Sequence, residues 1–445
     1  MKLLDTCELL VTLARKAGAA EAEAYAERTR EASVRVRDGE VEELHQASSK
    51  GIGLRVICGQ RLGFAYGTDL SKDGLKALAG KAVALAKGAA KDPANGLPRG
   101  AQLGAVSGGE YDPAIEEIAP EWKLRAASEA EKAARAEDPR VRKFDSTGAG
   151  DFLSQAAIAS SQGARGESRA SYAYVYCSPV AEADGQLQTA SWSDTRRTLA
   201  TLQSPEEIGR IAARRAARML GARKPKTQRV PVVFDPQMAA GFIGSLSAAV
   251  NGLLVHKKSS FLGALMGKPV ASKEVTLVDD ATLPHGIATR PFDGEAVVSR
   301  RTPVIEKGVL RSFLYDATTA RKAKAKSTSS ASRAWASLPS IGTSNFYLQA
   351  GTQKPEAIVK GVKNGLYVTA MLGRGADVVT GDYSRGANGI WIENGELAYP
   401  VQEVTVSGNL LEMLRGIDAV GDDLEFRAST ASPTIRFAEL VVSGA

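Results

Sequence analysis

Apolar residues recur at helical spacing at the start of the chain, where Leu3, Cys7, Leu10 and Ala14 form one stripe and Gly18 supplies a stop. Strand-like alternation follows, Ala22, Ala24 and Ala26 against Glu21, Glu23, Tyr25 and Glu27. Asp38-Gly39 then separates two alternating runs, as a type I′ hairpin requires, because both central residues must take positive φ. Gly59-Gln60 repeats the device. The spacing predicts a second helix over 71–91, carrying Leu75, Leu78, Ala79, Ala82, Val83, Leu85 and Ala86.

The order then recurs: a charged helix over 120–137, and strands near 141–145, 152–160, 168–181 and 186–193. A closing helix is signalled by Ser204 as N-cap, Pro205 at the first helical position, Glu207 as the far side of a capping box and Gly221 as the stop. Beyond "ARKPKTQRV" strands dominate, with hairpins in "TPVIEKGVLRSFLYD" (302–316) and at Asn394-Gly395, while 322–340, rich in Ser, Lys and Ala, reads as a long loop. The predicted fold class is α+β, with an antiparallel N-terminal sheet and helices over 1–221, a linker over 222–229, and a mainly β, barrel-like part over 230–445.

A length of 445 residues fits two such parts, and 44% hydrophobic with 24% charged residues is an ordinary globular composition. No apolar run reaches the roughly 18–20 residues that span a bilayer, and Asp5 and Glu8 interrupt the N-terminal stretch, so neither a membrane anchor nor a signal peptide is expected. Cys7, Cys58 and Cys177 are odd in number and widely spaced, which argues against a disulfide framework and for a cytoplasmic chain. The formal charge of +7 permits contact with nucleic acid, with the basic stretches "ARRAARMLGARKPK" (213–226), which holds Arg214, Arg215 and Arg218, and "RKAKAK" (321–326) as the best candidates. A solvated helix face explains them better, and direct nucleic-acid binding is not expected.

Several chemistries fail on spacing. "GALMGKP" (263–269) is one residue short of a phosphate-binding loop and has Pro269 where a hydroxyl belongs. "GDYSRG" (381–386) is one residue longer than a nucleophile elbow and leads into a strand, and none of His45, His256 and His285 has a motif marking it as the base for Ser384. No H-E-x-x-H occurs, and Lys257 and Lys258 beside His256 oppose a cation. Asp279-Asp280 and Asp422-Asp423 read as solvated acids of strand and turn ends.

Three C-terminal stretches carry a resemblance: "TGDYSRGANGIWIENGELAYPVQEVTVSGNL" (380–410), "HKKSSFLGALMGKPV" (256–270) and "TRPFDGEAVVSRRTPVIEKGVLRSFLYD" (289–316). With the hairpin block over 33–67, they resemble the PmbA/TldD family, in particular its PmbA (TldE) branch. The resemblance implies a heterodimeric metallopeptidase in which a TldD-type chain binds zinc through a helical H-E-x-x-x-H motif and a downstream Cys. Here that helix matches Leu246-Ser247-Ala248-Ala249-Val250-Asn251, which keeps the small and apolar residues of a packed helix, and Ser432 lies near the Cys position. Leu cannot coordinate zinc, and Asn and Ser are weak neutral ligands for it.

The resemblance therefore implies a subunit with no metal and no catalytic residue of its own. It would pair with a zinc-bearing TldD-like partner, or with itself if alone, and help form a channel for unfolded or leader peptides. Asp382, Tyr383, Ser384, Arg385, Asn251 and His256 are the candidates to border that cleft. Two alternatives stay open: a homodimeric hydrolase using residues such as His256 or Ser384, and a non-enzymatic regulator of DNA gyrase or toxin–antitoxin systems.

Overall fold

The computed structural model describes residues 2–99, 105–108, 110–373 and 375–444, with side chains outside 105–108. Its first eight strands are β1 (Glu21–Arg37), β2 (Glu40–Cys58), β3 (Arg61–Gly67), β4 (Ala105–Gly108), β5 (Val141–Ser160), β6 (Arg165–Ala183), β7 (Gln186–Thr189) and β8 (Trp192–Arg196). They form one sheet of order β3-β2-β1-β5-β6-β4, with β7 and β8 also on β6. The predicted turn at Asp38-Gly39 has φ of 53° and 86°, and Arg37 faces Glu40 across it. The expected break between 145 and 152 is absent. Gly148 and Gly150 lie inside β5 because the rings of Tyr176 and Tyr174 cover them and fill the space a side chain would take.

Helices α1 (Leu3–Lys16) and α2 (Lys72–Gly88) cover Ala22, Ala24, Ala26, Ile52, Leu54 and Val56. After the single turn α3 (Pro113–Glu116), α4 (Pro120–Glu137) and α5 (Pro205–Ala217) cover the same sheet over Ala149, Val175 and Cys177. The Ser204 hydroxyl accepts the Glu207 N–H at 3.3 Å. Glu207 does not return the bond; its carboxylate is drawn to Arg210 and Arg214, so only half of the predicted box forms.

The second half opens with β9 (Gln228–Phe234), continues through β10 (Leu277–Asp280), β11 (Arg301–Glu306) and β12 (Val309–Leu310), then the short pair β13 (Ala331–Ser332) and β14 (Ser340–Ile341), and β15 (Asn345–Leu348). It ends with β16 (Asn364–Leu372), β17 (Asp382–Glu393), β18 (Glu396–Asn409), β19 (Ile417–Val420), β20 (Thr430–Ala431) and β21 (Ile435–Ser443). Pairing runs β18-β17-β16-β9-β21, and Thr405 opposite Ser443 and Ser407 opposite Val441 join β18 back to β21, closing a barrel. Phe234, Phe242 and Phe437 fill it with edge-on rings whose centres are 4.9–6.3 Å apart. Among the described residues no helix is long and apolar enough to cross a membrane.

Asp279 and Asp280 correct the solvated-turn expectation, because β10 is flanked by β11 and β15 and both acids are buried. Asp279 accepts from the Ser344 N–H at 2.6 Å and its hydroxyl at 3.0 Å, yet burial outweighs these bonds and pushes its carboxyl up to about 6. The 322–340 segment is mostly irregular, as expected, but it is anchored: the Trp335 indole N–H reaches Ser49 Oγ at 3.0 Å, and the ring and carbonyl lie so close to Gly51 and Gly53 that a Cβ at either would collide.

Beside Trp335 the two halves are joined by charges. Arg55 of β2 donates to Glu23 of β1 at 2.9 Å and to Glu295 at 2.7 Å, and Arg333 donates to Glu23 at 2.6 Å. All four side chains are at most 5% exposed. Glu21, Glu23 and Tyr25 of the predicted β1 alternation are thus buried too and Glu27 is half-buried, Tyr25 packing against Phe292 and Ala296 of the second half.

Two outcomes follow for stability. Glu23→Ala leaves two buried guanidiniums short of a carboxylate and should cost about 3–5 kcal/mol, read as a lowered urea midpoint; an unchanged midpoint contradicts the role given to this junction. For Asp279, a folded pKa near 6 against an ordinary 3.8 means that the folded chain holds the extra proton. Its contribution is present below about pH 4 and lost as pH rises through about 6. Relative to Asp279→Asn, wild type should lose about 2 kcal/mol between pH 4 and 7 in paired unfolding curves, and parallel curves would show that the carboxyl is not perturbed.

Candidate functional site

The helix α6 (Pro236–Ser245) begins where β9 leaves the barrel. Asp235 caps it, one oxygen accepting the Met238 N–H at 2.8 Å and the other a bond from Arg215 of α5 at 2.8 Å, so one carboxylate fixes the helix start and ties it to the first half. Pro236 occupies the first helical position, where its missing N–H costs nothing.

Residues 246–251 do not continue that helix, which corrects the expectation of a packed helix there. Leu246, Ser247 and Asn251 donate to carbonyls three residues back, so the chain tightens into turns before α7 (Gly252–His256). Leu246 is buried in the apolar cluster with Phe242 and Phe437. Asn251 is the N-cap of α7, its side-chain oxygen accepting the Leu253 and Leu254 N–H groups at 3.0 and 3.4 Å. The Ser432 hydroxyl is buried beside β20 and donates to the Pro433 carbonyl at 2.9 Å. His256 is exposed in the last turn of α7, next to the equally exposed Lys257 and Lys258.

The 382–385 stretch divides between core and surface. Tyr383 is buried, its ring 6.0 Å from that of Phe242 and nearly perpendicular to it, and burial raises its pKa while Arg385 pulls the other way. Asp382 is exposed and accepts the Thr380 hydroxyl at 2.8 Å. Ser384 is exposed and its main-chain N–H donates to the Gly375 carbonyl at 2.7 Å; Arg385 is half-buried. This loop meets the one after α7 through a bond from the Phe261 N–H to the Val378 carbonyl at 3.0 Å, and Gly381, at φ 83°, lies against Phe261 and Asn409. Tyr383 and Leu246 therefore share one core, whereas Asn251 and His256 approach the 375–381 loop only through the segment that follows them.

Arg215, Trp192, Glu425 and Arg427 also converge beside α6, a grouping that periodicity does not announce. Arg215 is mostly buried, bonded to Asp235, Gln237 and the Thr369 carbonyl, whereas Arg218 is exposed, although desolvation by the groups around it and the neighbouring Arg215 lower its pKa. Arg214 is exposed as well, and it pairs with Glu137 and Glu207. The sequence signal that could have pointed here is Asp235-Pro236, a cap and first helical position that went unread.

Comparison with known proteins agrees with this architecture. Residues 22–86 match the PmbA/TldA metallopeptidase domain 1, 113–220 its central domain and 227–444 its C-terminal domain. Metalloprotease PmbA of Escherichia coli O157:H7 is 33% identical over 434 residues, 95% of this chain and 92% of that protein. The Metalloprotease PmbA homolog of Haemophilus influenzae is 30% identical over 447 residues, covering 100% and 96%. Among solved structures, a protein named as a modulator of DNA gyrase from Bacteroides thetaiotaomicron superposes with a TM-score of 0.90 at 25% identity, over 99% of this chain and 98% of that one. TldE from Thermococcus kodakarensis shares the fold with a TM-score of 0.91 at 23% identity, over 99% and 100%. With three successive domains matched and near full-length identity to named metalloproteases, the chain belongs to the PmbA/TldA (PmbA/TldD) metallopeptidase family.

Proposed function

We propose that the chain is the TldE/PmbA-like subunit of a TldD/TldE-type zinc metallopeptidase complex and carries no metal of its own. The observation that carries this is the use already made of the ligand positions: Leu246 belongs to the core, the Asn251 carbonyl caps α7, and the Ser432 hydroxyl is bonded to the Pro433 carbonyl. A borderline-soft dication needs imidazole, thiolate or carboxylate to compete with water, so this set does not fit zinc. The zinc belongs to a TldD-like partner.

In this reading the parts 1–221 and 230–445, joined by 222–229, shape one wall of a channel for unfolded or leader peptides. Asp382 and Ser384 present polar groups to it, Tyr383 and Arg385 hold their strand in place, and the chain pairs with itself when the partner is absent. Cytoplasmic placement accords with Cys7, Cys58 and Cys177 standing unpaired. Cys7 and Cys177 have pKa values pushed to about 12 by burial, which removes them as nucleophiles at neutral pH. A gyrase-binding role is less favoured, because Arg214 and Arg215 are already held in ion pairs with Glu137, Glu207 and Asp235.

Purified alone without a histidine tag, the chain should contain less than about 0.1 equivalent of zinc by elemental mass spectrometry, and peptidase activity should appear only on mixing with a zinc-bearing TldD-type chain. About one equivalent of zinc, or full activity alone that is lost in His256→Ala, overturns the proposal.

A further inference from the structure

A cleft of about 630 Å³ lies along α6, walled by Trp192 of β8 and Arg215 of α5 on one side and by the 423–432 segment on the other. That volume is within the range of roughly 300–1,000 Å³ typical of ligand sites, and the junction of two packed units is a common place for one. Its charged rim is already satisfied. Arg215 is held by Asp235, Arg427 donates to Glu425 at 2.6 Å and Gln203 at 3.1 Å, and Asp423 accepts the N–H and hydroxyl of Thr434 at 2.9 and 2.7 Å. The Arg427 and Arg215 guanidiniums lie 4.4 and 5.3 Å from the centre of the Trp192 ring and fix that wall. Ionic occupants therefore gain little here.

The floor, in contrast, is apolar and under-filled. Ala240, Gly241 and Gly244 of α6 line it opposite Ala428, Thr430, Ala431 and Ser432. A Cβ at Gly241 meets nothing within 4 Å, and one at Gly244 meets only Thr430 Cγ2 at 3.8 Å. Helix glycines cost stability relative to alanine, so two of them beside an open space leave room that the fold itself does not use. Gln237 accepts from Arg215 through its carbonyl, which leaves its NH2 to donate to a peptide carbonyl at the cleft mouth.

The geometry points to this cleft as an anchor for a bulky apolar side chain of an extended peptide, Phe or Leu in type, with the flanking main chain bonded at Gln237. The assignment rests on the peptide-handling reading above and adds to it a position and a side-chain preference on the subunit without metal. Apolar area removed from water supplies the affinity, and the paired rim leaves acidic side chains without a free cation to meet.

The test titrates the full chain, without partner, with a short capped peptide containing Phe and Leu and with the same peptide carrying Ser in their place, by calorimetry and by tryptophan fluorescence. The apolar peptide should bind at least about tenfold more tightly than the Ser peptide. Gly241→Leu, which fills the floor without a backbone clash, should weaken it at least about tenfold with no fall in the unfolding midpoint, and Trp192→Phe should remove the fluorescence change. Equal binding of both peptides, no binding at all, or binding indifferent to Gly241→Leu with the fold intact overturns the assignment. The two proposals fail separately. A chain that binds here but holds its own zinc refutes the metal-free reading alone, and one that is zinc-free and activated by a partner yet insensitive at Gly241 refutes the cleft alone.

Discussion

Four side chains from distant parts of the chain, Glu23, Arg55, Glu295 and Arg333, share one dry junction, and its electrostatics constrain how the sheet of the first half meets the barrel half. Moving a charge out of water costs several kcal/mol even after relaxation, so each of these groups is tolerable only where the others stand. Arg55 answers two carboxylates and Glu23 answers two guanidiniums, which leaves little freedom to slide the halves past one another. Gly51 and Gly53 belong to the same constraint, because Trp335 can bring the 322–340 segment down onto β2 only where no side chain intervenes.

Asp235 does comparable work on the other side of the junction. A single carboxylate caps α6 and receives Arg215, so the helix that borders the cleft is positioned by the first half as well as by its own strand. Helix start, cleft wall and Trp192 are consequently one mechanical unit: Arg215 touches all three, by ion pair, by lining and by its guanidinium over the indole. The cleft can then stay open beside a closed barrel, since its walls are held by charge pairs around the rim while Gly241 and Gly244 put no side chain into it.

What was legible beforehand is what short-range hydrogen bonding decides. Asp38-Gly39 and Asn394-Gly395 announced their turns because few residue pairs tolerate two positive φ angles, and Ser204-Pro205 announced α5 because a cap and a missing donor are both local needs. The family was legible as well, since its motifs are contiguous. Asp279-Asp280 misled because the sequence of an acid pair is the same in a turn and on a strand flanked by two others; only the Ser344 N–H, 65 residues away, distinguishes them. Leu246–Asn251 misled because small apolar residues suit a helix and a tight turn equally, and Asn251 was free to start a new helix instead of ending the old one. The junction and the cleft were illegible for one shared reason: periodicity states which face of an element is apolar, not which distant charge will stand opposite.

On the reading proposed here, the replaced ligand positions explain why such a subunit keeps its fold. A zinc site of imidazoles and a thiolate contributes binding energy only when metal is present, and without it leaves polar groups to be satisfied in a packed interior. Leu246 gives that interior an apolar side chain and Asn251 gives α7 a cap, so each exchange turns a potential cost into ordinary stability. The glycines of α6 run the other way, giving up helix propensity with no backbone contact to require it. On that reading, Leu246 and Asn251 serve packing and capping, while Gly241 and Gly244 leave space that packing does not use.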